Sequence, residues 1–203
     1  MRVVDIKKKE KRESILKSAY ELFIERGINS TSISDITRKA KVAKGTFYLY
    51  FKNKYELKDM IVINKAHEIF LDAINDLEKM EIKEFHEKII FITDKIIDYF
   101  VKNPENLIFI EKNLSWSFLR EVIEEGREDY LIKQCIEEMI EESGYIFEDE
   151  ELMMYTILEL VNSTCHNVII YNQPVNIEVL KKYLYRDINS IIDNHITGRR
   201  EDM

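Results

Sequence analysis

The sequence predicts an all-α fold, and three observations lead to that prediction. Only 5 Gly and 2 Pro interrupt the 203 residues. Leu, Ile, Glu and Lys are abundant, a composition that favours long helices. Apolar residues recur at helical spacing along the chain, and no segment shows the alternation that is typical of a strand. We therefore expect about nine helices, read from this periodicity.

The N-terminal stretch predicts a first and a second helix joined by a short polar link. The first helix has one apolar face and should end at Gly27, because glycine readily adopts the left-handed conformation at a helix C-terminus. Ser32 and Asp35 then resemble a capping box, with Asp in place of the usual Glu or Gln. The face of the first helix consists of Ile15, Ala19, Leu22 and Phe23.

A third helix follows after a break at residues 41–43. Two short helices joined by a turn of three or four residues match a helix-turn-helix, whose second helix lies in the major groove of DNA. Here that helix is KGTFYLY, Lys44 to Tyr50, with Phe47 and Phe51 facing inward. Gly45 allows a close approach to a DNA backbone, and the outward side chains can donate hydrogen bonds to phosphates and bases. Those outward residues are Lys44, Thr46, Tyr48 and Tyr50; the alternative for the tyrosines is packing on a neighbouring helix.

Charge is divided unevenly along the chain. The net charge of −8 argues against a nucleic-acid partner for the chain as a whole. Residues 1–60, however, contain 15 Lys and Arg against 8 Asp and Glu, a net charge of +7, while the remainder carries −15. Such asymmetry indicates a polyanion partner for the basic part, although a solvated lysine-rich surface would give the same count.

The acidic remainder reads as helices throughout. We predict a domain of residues 1–53 and a second domain of residues 54–203, with a long helix from about Lys54 to Met80 opening the second. The last two helices are the most apolar, and one that is apolar over most of its circumference must be buried on two sides. The predicted later helices are 83–102, one that starts near Pro104, 124–143 before Gly144, 150–171 and 177–196.

The N-terminal residues resemble the TetR family of bacterial transcriptional repressors. The resemblance rests on AYELFIERGINSTSISDI and VAKGTFYLYFKNKYEL, and it covers about residues 10–60. It implies a three-helix helix-turn-helix DNA-binding domain, followed by a helical ligand-binding and dimerisation domain. The implied function is a ligand-responsive repressor that binds a palindromic operator as a homodimer and is released by a small-molecule inducer.

Individual roles follow from this resemblance. Thr31 and Ser32 would hold a phosphate at the start of the second helix. Tyr48 and Lys54 would also contact phosphates, Tyr50 would lie at the groove edge, and Lys44, Gly45 and Thr46 would face the groove. The basic arm, Lys7 to Arg12, would add phosphate or minor-groove contacts.

Two positions depart from the family pattern. Lys41 stands where the family usually has glycine, so a positive φ there would cost roughly 1 kcal/mol. Ala43 stands where a capping Ser or Thr is common, and a missing cap costs about 1 kcal/mol. Both departures predict a less rigid recognition helix.

The resemblance also bears on the acidic domain. In the family, the last two helices form a four-helix homodimer interface, and the middle helices surround an inducer cavity. The residues that we expect near such a cavity are Phe109, Trp116, Tyr130, Tyr155, Asn162 and His166. Asn162 and His166 share a face of an apolar helix, so they need a polar partner, which is either a ligand or another protein group. A cationic lipophile, a fatty acyl group or an aromatic ligand all fit this composition.

The sequence gives little support for an enzyme, a metalloprotein or a disulfide-rich protein. The 4 His lack metal-ligand spacing, no nucleophile motif or phosphate-binding glycine loop is present, and the 2 Cys form no framework. We therefore expect no enzyme, metal or cofactor, and a cytoplasmic protein without a membrane segment. Two alternatives stay open: a DNA-binding activator or architectural protein without a ligand, and a helical protein-interaction module with a basic docking arm.

Overall fold

The structure is a computed structural model that describes residues 3–111 and 130–200. These residues contain nine helices, as the sequence predicts, and the all-α class is confirmed. The chain divides into two compact units, Met1–Lys65 and Ala66–Met203. The division falls inside a helix, and the domain boundary predicted after residue 53 stays a prediction.

Four helices begin in the N-terminal unit: α1 (Val3–Arg26), α2 (Ile33–Lys39), α3 (Lys44–Tyr48) and α4 (Lys54–Leu77). Helix α1 ends where the sequence predicts, because Gly27 adopts a φ of +80°. The predicted apolar face of α1 is buried and packs with side chains of the later helices of this unit. The buried residues of the N-terminal unit include Ile15, Ala19, Phe23, Ile36, Phe47, Phe51, Leu57 and Val62.

The C-terminal unit continues α4 and adds five helices. They are α5 (Phe85–Lys102), α6 (Pro104–Glu111), α7 (Tyr130–Ser143), α8 (Glu150–Tyr171) and α9 (Ile177–His195). Helix α7 stops before Gly144, which has a φ of +67°, and α8 has the bounds that the sequence predicts. The core of this unit contains residues of α4, α5, α7, α8 and α9. Its members include Phe85, Ile97, Met153, Leu184 and Ile188.

A two-stranded sheet is the one element type that the sequence analysis did not expect. Strand β1 (Tyr145–Phe147) pairs antiparallel with β2 (Ile196–Arg199), with Ile146 opposite Gly198 and an irregularity before Phe147. The expectation of no strand was therefore wrong at this point. Strands of three and four residues are too short for an alternating pattern to be recognised. The pair joins the segment after α9 to the link between α7 and α8.

Candidate nucleic-acid interface

Helices α2 and α3 form a helix-turn-helix around a strained turn. The turn contains Lys41, whose φ of +55° lies in the left-handed region, so the predicted strain is confirmed. The Val42 N–H donates to the Thr37 carbonyl oxygen at 3.0 Å, which closes the turn on α2. Phe47 and Phe51 are buried, as predicted, and their ring centroids lie 5.7 Å apart. These contacts fix which face of α3 points outward.

The outer face of α3 carries the predicted donors. Lys44, Gly45 and Tyr48 are exposed, while Thr46 and Tyr50 are half-buried. Tyr48 is 53% exposed, and its ring meets Phe47 edge-on. The alternative that the tyrosines pack on neighbouring side chains therefore holds for the buried part of Tyr50. The Tyr48 ring, in contrast, is accessible to a binding partner.

Leu49 is a surface residue that the sequence analysis missed. It is 77% exposed at the C-terminal end of α3, the largest exposed fraction among the large hydrophobic side chains of the described residues. Leu49 is two residues from both Phe47 and Phe51 in the sequence. On a helix, this spacing places Leu49 on the side opposite the two buried rings, so the sequence could have indicated that Leu49 is exposed. An exposed apolar side chain here can contact a thymine methyl group in a major groove.

The N-terminus of α3 lacks a side-chain cap. Ala43 occupies the N-cap position with extended φ and ψ, and no side chain of the described residues accepts from the first turn of the helix. The predicted loss of a cap is therefore confirmed. The free N–H groups of this turn are left to solvent or to an external acceptor.

The N-terminus of α2, by contrast, is satisfied by its own residues. The predicted capping box is confirmed: the Asp35 N–H donates to Ser32 Oγ at 3.1 Å, and the Ser32 N–H donates to Asp35 Oδ2 at 3.1 Å. Hydrogen bonds from the Ser32 side chain and backbone lower the pKa of Asp35, as do the nearby Arg26 and Arg38. A carboxylate therefore already occupies this positive helix end.

Thr31 is not placed to hold a phosphate as the resemblance implies. Its side chain is 1% exposed, and its hydroxyl donates to the Gly27 carbonyl oxygen at 2.8 Å. Because that bond satisfies a carbonyl at the end of α1, the role of Thr31 in this structure is to close the loop between α1 and α2. Ser32 is exposed, but its hydroxyl donates to Asp35 Oδ2 at 2.6 Å, so the donor that a phosphate would need is already used within the capping box.

Lys54 also differs from its predicted role. Its ammonium group donates to three backbone carbonyl oxygens of the loop between α1 and α2: Ile28 at 2.8 Å, Thr31 at 3.1 Å and Asn29 at 3.4 Å. An ammonium group has three N–H donors, so all three are used within the fold. The structure therefore directs Lys54 inward to the loop instead of outward to a phosphate.

The basic arm lies within α1. Lys7, Lys8, Lys9 and Lys11 are exposed. Arg12 is half-buried: its guanidinium group lies over the Phe51 ring, 5.8 Å from the centroid, and donates to the Met60 sulfur. The lysines of the arm are thus open to a polyanion, whereas Arg12 packs on the core beneath α3.

Known proteins with a similar sequence are transcriptional regulators. The family pattern of "Bacterial regulatory proteins, tetR family" matches residues 15–59. The chain is 30% identical over 194 residues to the HTH-type transcriptional regulator YvdT of Bacillus subtilis, a match that spans 86% of this chain and 91% of YvdT. The chain belongs to the TetR family. Its regulators bind DNA through a helix-turn-helix, which agrees with the geometry of α2 and α3.

Two further comparisons cover different shares of the chain. It is 31% identical over 132 residues to the Transposon Tn10 TetC protein of Escherichia coli, across 62% of this chain and 66% of TetC. The solved structure of FadR from Bacillus subtilis, in complex with stearoyl-CoA, superposes with a TM-score of 0.62 at 23% identity. That superposition covers 87% of this chain and 96% of FadR, and it shows a shared fold.

The predicted ligand-binding residues that the structure describes in detail lie on α6 and α8, two helices that contact each other in the C-terminal unit. Phe109 on α6 is buried, Tyr155 on α8 is 37% exposed, and Asn162 and His166 on α8 are half-buried. The His166 ring meets Tyr171 edge-on, with centroids 5.9 Å apart. Trp116 lies outside the described residues, and Tyr130 is described only as the first residue of α7.

The part of the chain that the structure describes offers neither a metal-binding cluster nor a membrane-spanning helix. Across residues 3–111 and 130–200, no group of three His, Cys, Asp or Glu is arranged to hold a metal ion. None of the described helices combines the length and the apolar character that crossing a membrane requires.

Proposed function

We propose that this TetR-family regulator is a repressor that binds a palindromic DNA operator as a homodimer and is released by a small-molecule inducer. The observation that carries the proposal is the outer face of α3. This face presents Lys44, Gly45, Tyr48 and Leu49 to solvent on a unit whose charge is strongly positive. Basic charge gives affinity for phosphates, and groups on an exposed helix face read base edges.

The proposed contacts divide by chemistry. Lys44 and Tyr48 donate to phosphates, and the lysines of the α1 arm add a sequence-independent attraction. Thr46 and Tyr50 lie at the groove edge, and Leu49 contacts thymine methyl groups. We leave Thr31, Ser32 and Lys54 out of this set, because their donor groups are used inside the fold.

Replacement of Gly45 by alanine tests the assignment of α3. No atom of the described residues lies within 4 Å of the Cβ that Gly45→Ala would add, so the free protein accommodates the change. Alanine should stabilise the helix by roughly 0.5–1 kcal/mol. If Gly45 faces a DNA backbone, the same methyl group should weaken operator binding about tenfold or more. Unfolding and fluorescence-anisotropy titrations measure the two effects, and equal binding by both proteins would contradict the assignment.

We assign homodimerisation to α8 and α9. Each helix buries one face in its own unit, through Met153, Ile157 and Val168 on α8 and Leu184 and Ile192 on α9. Other large apolar side chains of these helices are exposed, namely Leu152, Tyr155, Tyr171 and Tyr183. A second copy would cover them. A twofold dimer places two recognition helices on half-sites about one helical turn of DNA apart or somewhat more, and so predicts a palindrome.

Sedimentation equilibrium tests the dimer directly. We expect a dimer mass for the wild type and a shift to monomer for Tyr183→Glu with Tyr155→Glu, because buried carboxylates without partners are costly. A wild-type protein that is monomeric at micromolar concentration would contradict the assignment.

The inducer is proposed to bind in the C-terminal unit. FadR, which shares this fold, holds stearoyl-CoA, so the fold can accommodate a small molecule. We retain Phe109, Trp116, Tyr130, Asn162 and His166 as candidate ligand contacts and assign the exposed Tyr155 to the dimer surface. A displacement screen against operator-bound protein, with acyl-CoA thioesters, aromatic acids and lipophilic cations, identifies the class. No release by any class would favour a regulator without a ligand.

The proposed mechanism is a population shift. Helix α4 begins in the DNA-binding unit and ends in the acidic unit, so it connects the two covalently. We propose that α4 couples ligand binding to DNA binding. A ligand changes operator affinity only to the extent that it binds one state more tightly than the other. The proposal assigns no catalytic step, in keeping with relatives that are regulators, and places the protein in the cytoplasm with its operator.

A further inference from the structure

Lys54 connects the two ends of the helix-turn-helix. The loop of residues 27–32 leads into α2, and the segment of residues 49–53 leads out of α3 into α4. Lys54 is the first residue of α4, and its side chain reaches back to the carbonyl oxygens of Ile28, Asn29 and Thr31. One side chain therefore ties the chain segment before α2 to the segment after α3.

Both ends of this connection are themselves held in place. On the α4 side, Asn53 Oδ1 accepts from the N–H groups of Tyr55 at 2.8 Å and Glu56 at 3.0 Å. The Glu56 carboxylate in turn accepts from the Lys52 N–H. The backbone that carries Lys54 is thus fixed before the side chain reaches the loop.

On the loop side, the carbonyl groups that Lys54 contacts belong to a compact turn. The Thr31 N–H donates to the Ile28 carbonyl oxygen at 3.2 Å, and the Thr31 hydroxyl donates to Gly27 at 2.8 Å. The Ile28 carbonyl accepts from both Thr31 and Lys54. Removal of the ammonium group would leave three loop carbonyls without this partner, one turn ahead of α2.

We propose that Lys54 is a positioning residue for DNA recognition: it sets the orientation of α2 and α3 by clamping the α1–α2 loop to the start of α4. This proposal rests on the proposed DNA-binding function. A positioning residue and a phosphate contact differ in what they contribute to the salt dependence of DNA affinity. A lysine that neutralises a phosphate adds about 0.9 to the slope of log affinity against log salt concentration, whereas a positioning residue adds nothing.

The test compares Lys54→Met with Lys44→Met on the duplex that the wild type selects from a random pool. Methionine keeps much of the aliphatic stem and removes the charge. Lys44 is exposed on α3 and is the matched control for a phosphate contact, and Lys79→Met removes a lysine charge, with its ion pair to Asp76, from the other unit. Affinity is titrated at several salt concentrations, at a temperature where circular dichroism shows every variant fully folded. Lys54→Gln, which keeps amide donors, replaces Lys54→Met if the latter does not fold.

We expect Lys54→Met to bind about tenfold more weakly with the wild-type slope, and Lys44→Met to lose about 0.9 from the slope for each protomer of the DNA-bound homodimer. Lys79→Met should bind as the wild type does. Without DNA, hydrogen exchange of the Thr31 amide should speed up in Lys54→Met and stay unchanged in Lys44→Met. The exchange readout does not depend on operator binding.

Three results would overturn the proposal. A slope for Lys54→Met that falls by about 0.9 per protomer, with unchanged loop exchange, would make Lys54 a phosphate contact. Unchanged affinity of the fully folded variant would leave Lys54 a stabilising residue only. Failure of the wild type to bind any duplex would overturn the proposed function together with this role, and loop exchange would then show separately whether the clamp exists.

Discussion

At the scale of the residue, Lys41 occupies a backbone conformation that glycine adopts with less strain. Its φ of +55° places Cβ close to the following carbonyl, and this cost falls on the turn that orients α3. The turn therefore stores a small amount of strain beside the recognition helix. Asn172, at the C-terminus of α8, has a similar φ of +53°, but asparagine tolerates this region better.

Lys41→Gly should raise the free energy of unfolding by up to about 1 kcal/mol, because it relieves this strain. Urea denaturation at matched protein concentration measures the gain. Asn172→Gly is the control and should give a smaller gain. If Lys41→Gly instead lowers the free energy of unfolding, the lysine side chain stabilises the fold by more than the strain of its positive φ destabilises it.

Residues also show where sequence reasoning succeeds and where it stops. The strain at Lys41, the missing cap at Ala43 and the capping box at Ser32 are local features, so a few neighbouring residues predict them. The inward role of Lys54 is different, because it depends on a loop about 25 residues away in sequence, whose position only the folded unit defines. Thr31 is a different case, because the carbonyl oxygen that its hydroxyl contacts, that of Gly27, is only four residues away.

At the scale of the element, the ends of helices were predictable and the pairing of strands was not. Gly27 and Gly144 mark helix ends through their own conformational freedom. Strands β1 and β2 are short and lie about 50 residues apart, so nothing in either segment alone indicates its partner. The exposed Leu49 could have been found from helical spacing, because residues two apart lie on opposite sides of a helix.

A polar cluster joins α5 to α9. The Lys181 ammonium group lies 2.6 Å from Asp94 Oδ1 and also contacts Asp98, while the Tyr185 hydroxyl donates to Asp94. Burial opposes ionisation of Asp94, but the hydrogen bonds from Lys181 and Tyr185 outweigh it and lower the pKa of Asp94. Burial and the same carboxylate raise the pKa of Tyr185, which therefore stays a donor.

Asp94→Asn should lower the free energy of unfolding at pH 7 by about 1 kcal/mol, because it removes the charge that both donors face. Since the pKa is lower in the folded state, this contribution is present above the unfolded value near 3.9. It is lost as the pH falls through the folded pKa. The difference between the wild type and the variant should therefore start to shrink near pH 4 and vanish only below the folded pKa of Asp94, which lies lower still. Denaturation at pH 7 and pH 3 measures this, with the exposed Asp72→Asn as control. A difference that is equal at both pH values would contradict the assignment.

At the scale of the whole molecule, charge separates two tasks along one chain. Residues 1–60 carry a net charge of +7 and form the surface that we assign to DNA, whereas the remainder carries −15. An acidic body reduces non-specific attachment to a polyanion, so that binding depends on the basic unit and on the groups exposed on α3.

The central claim is that this chain recognises a specific palindromic DNA sequence. Selection of bound duplexes from a random pool, at roughly physiological salt, tests it most directly. The account predicts recovery of a palindrome whose half-sites are separated by about one helical turn of DNA or somewhat more. Recovery of no motif, with only weak and salt-sensitive binding, would contradict the account and leave the basic unit as a general polyanion or protein contact.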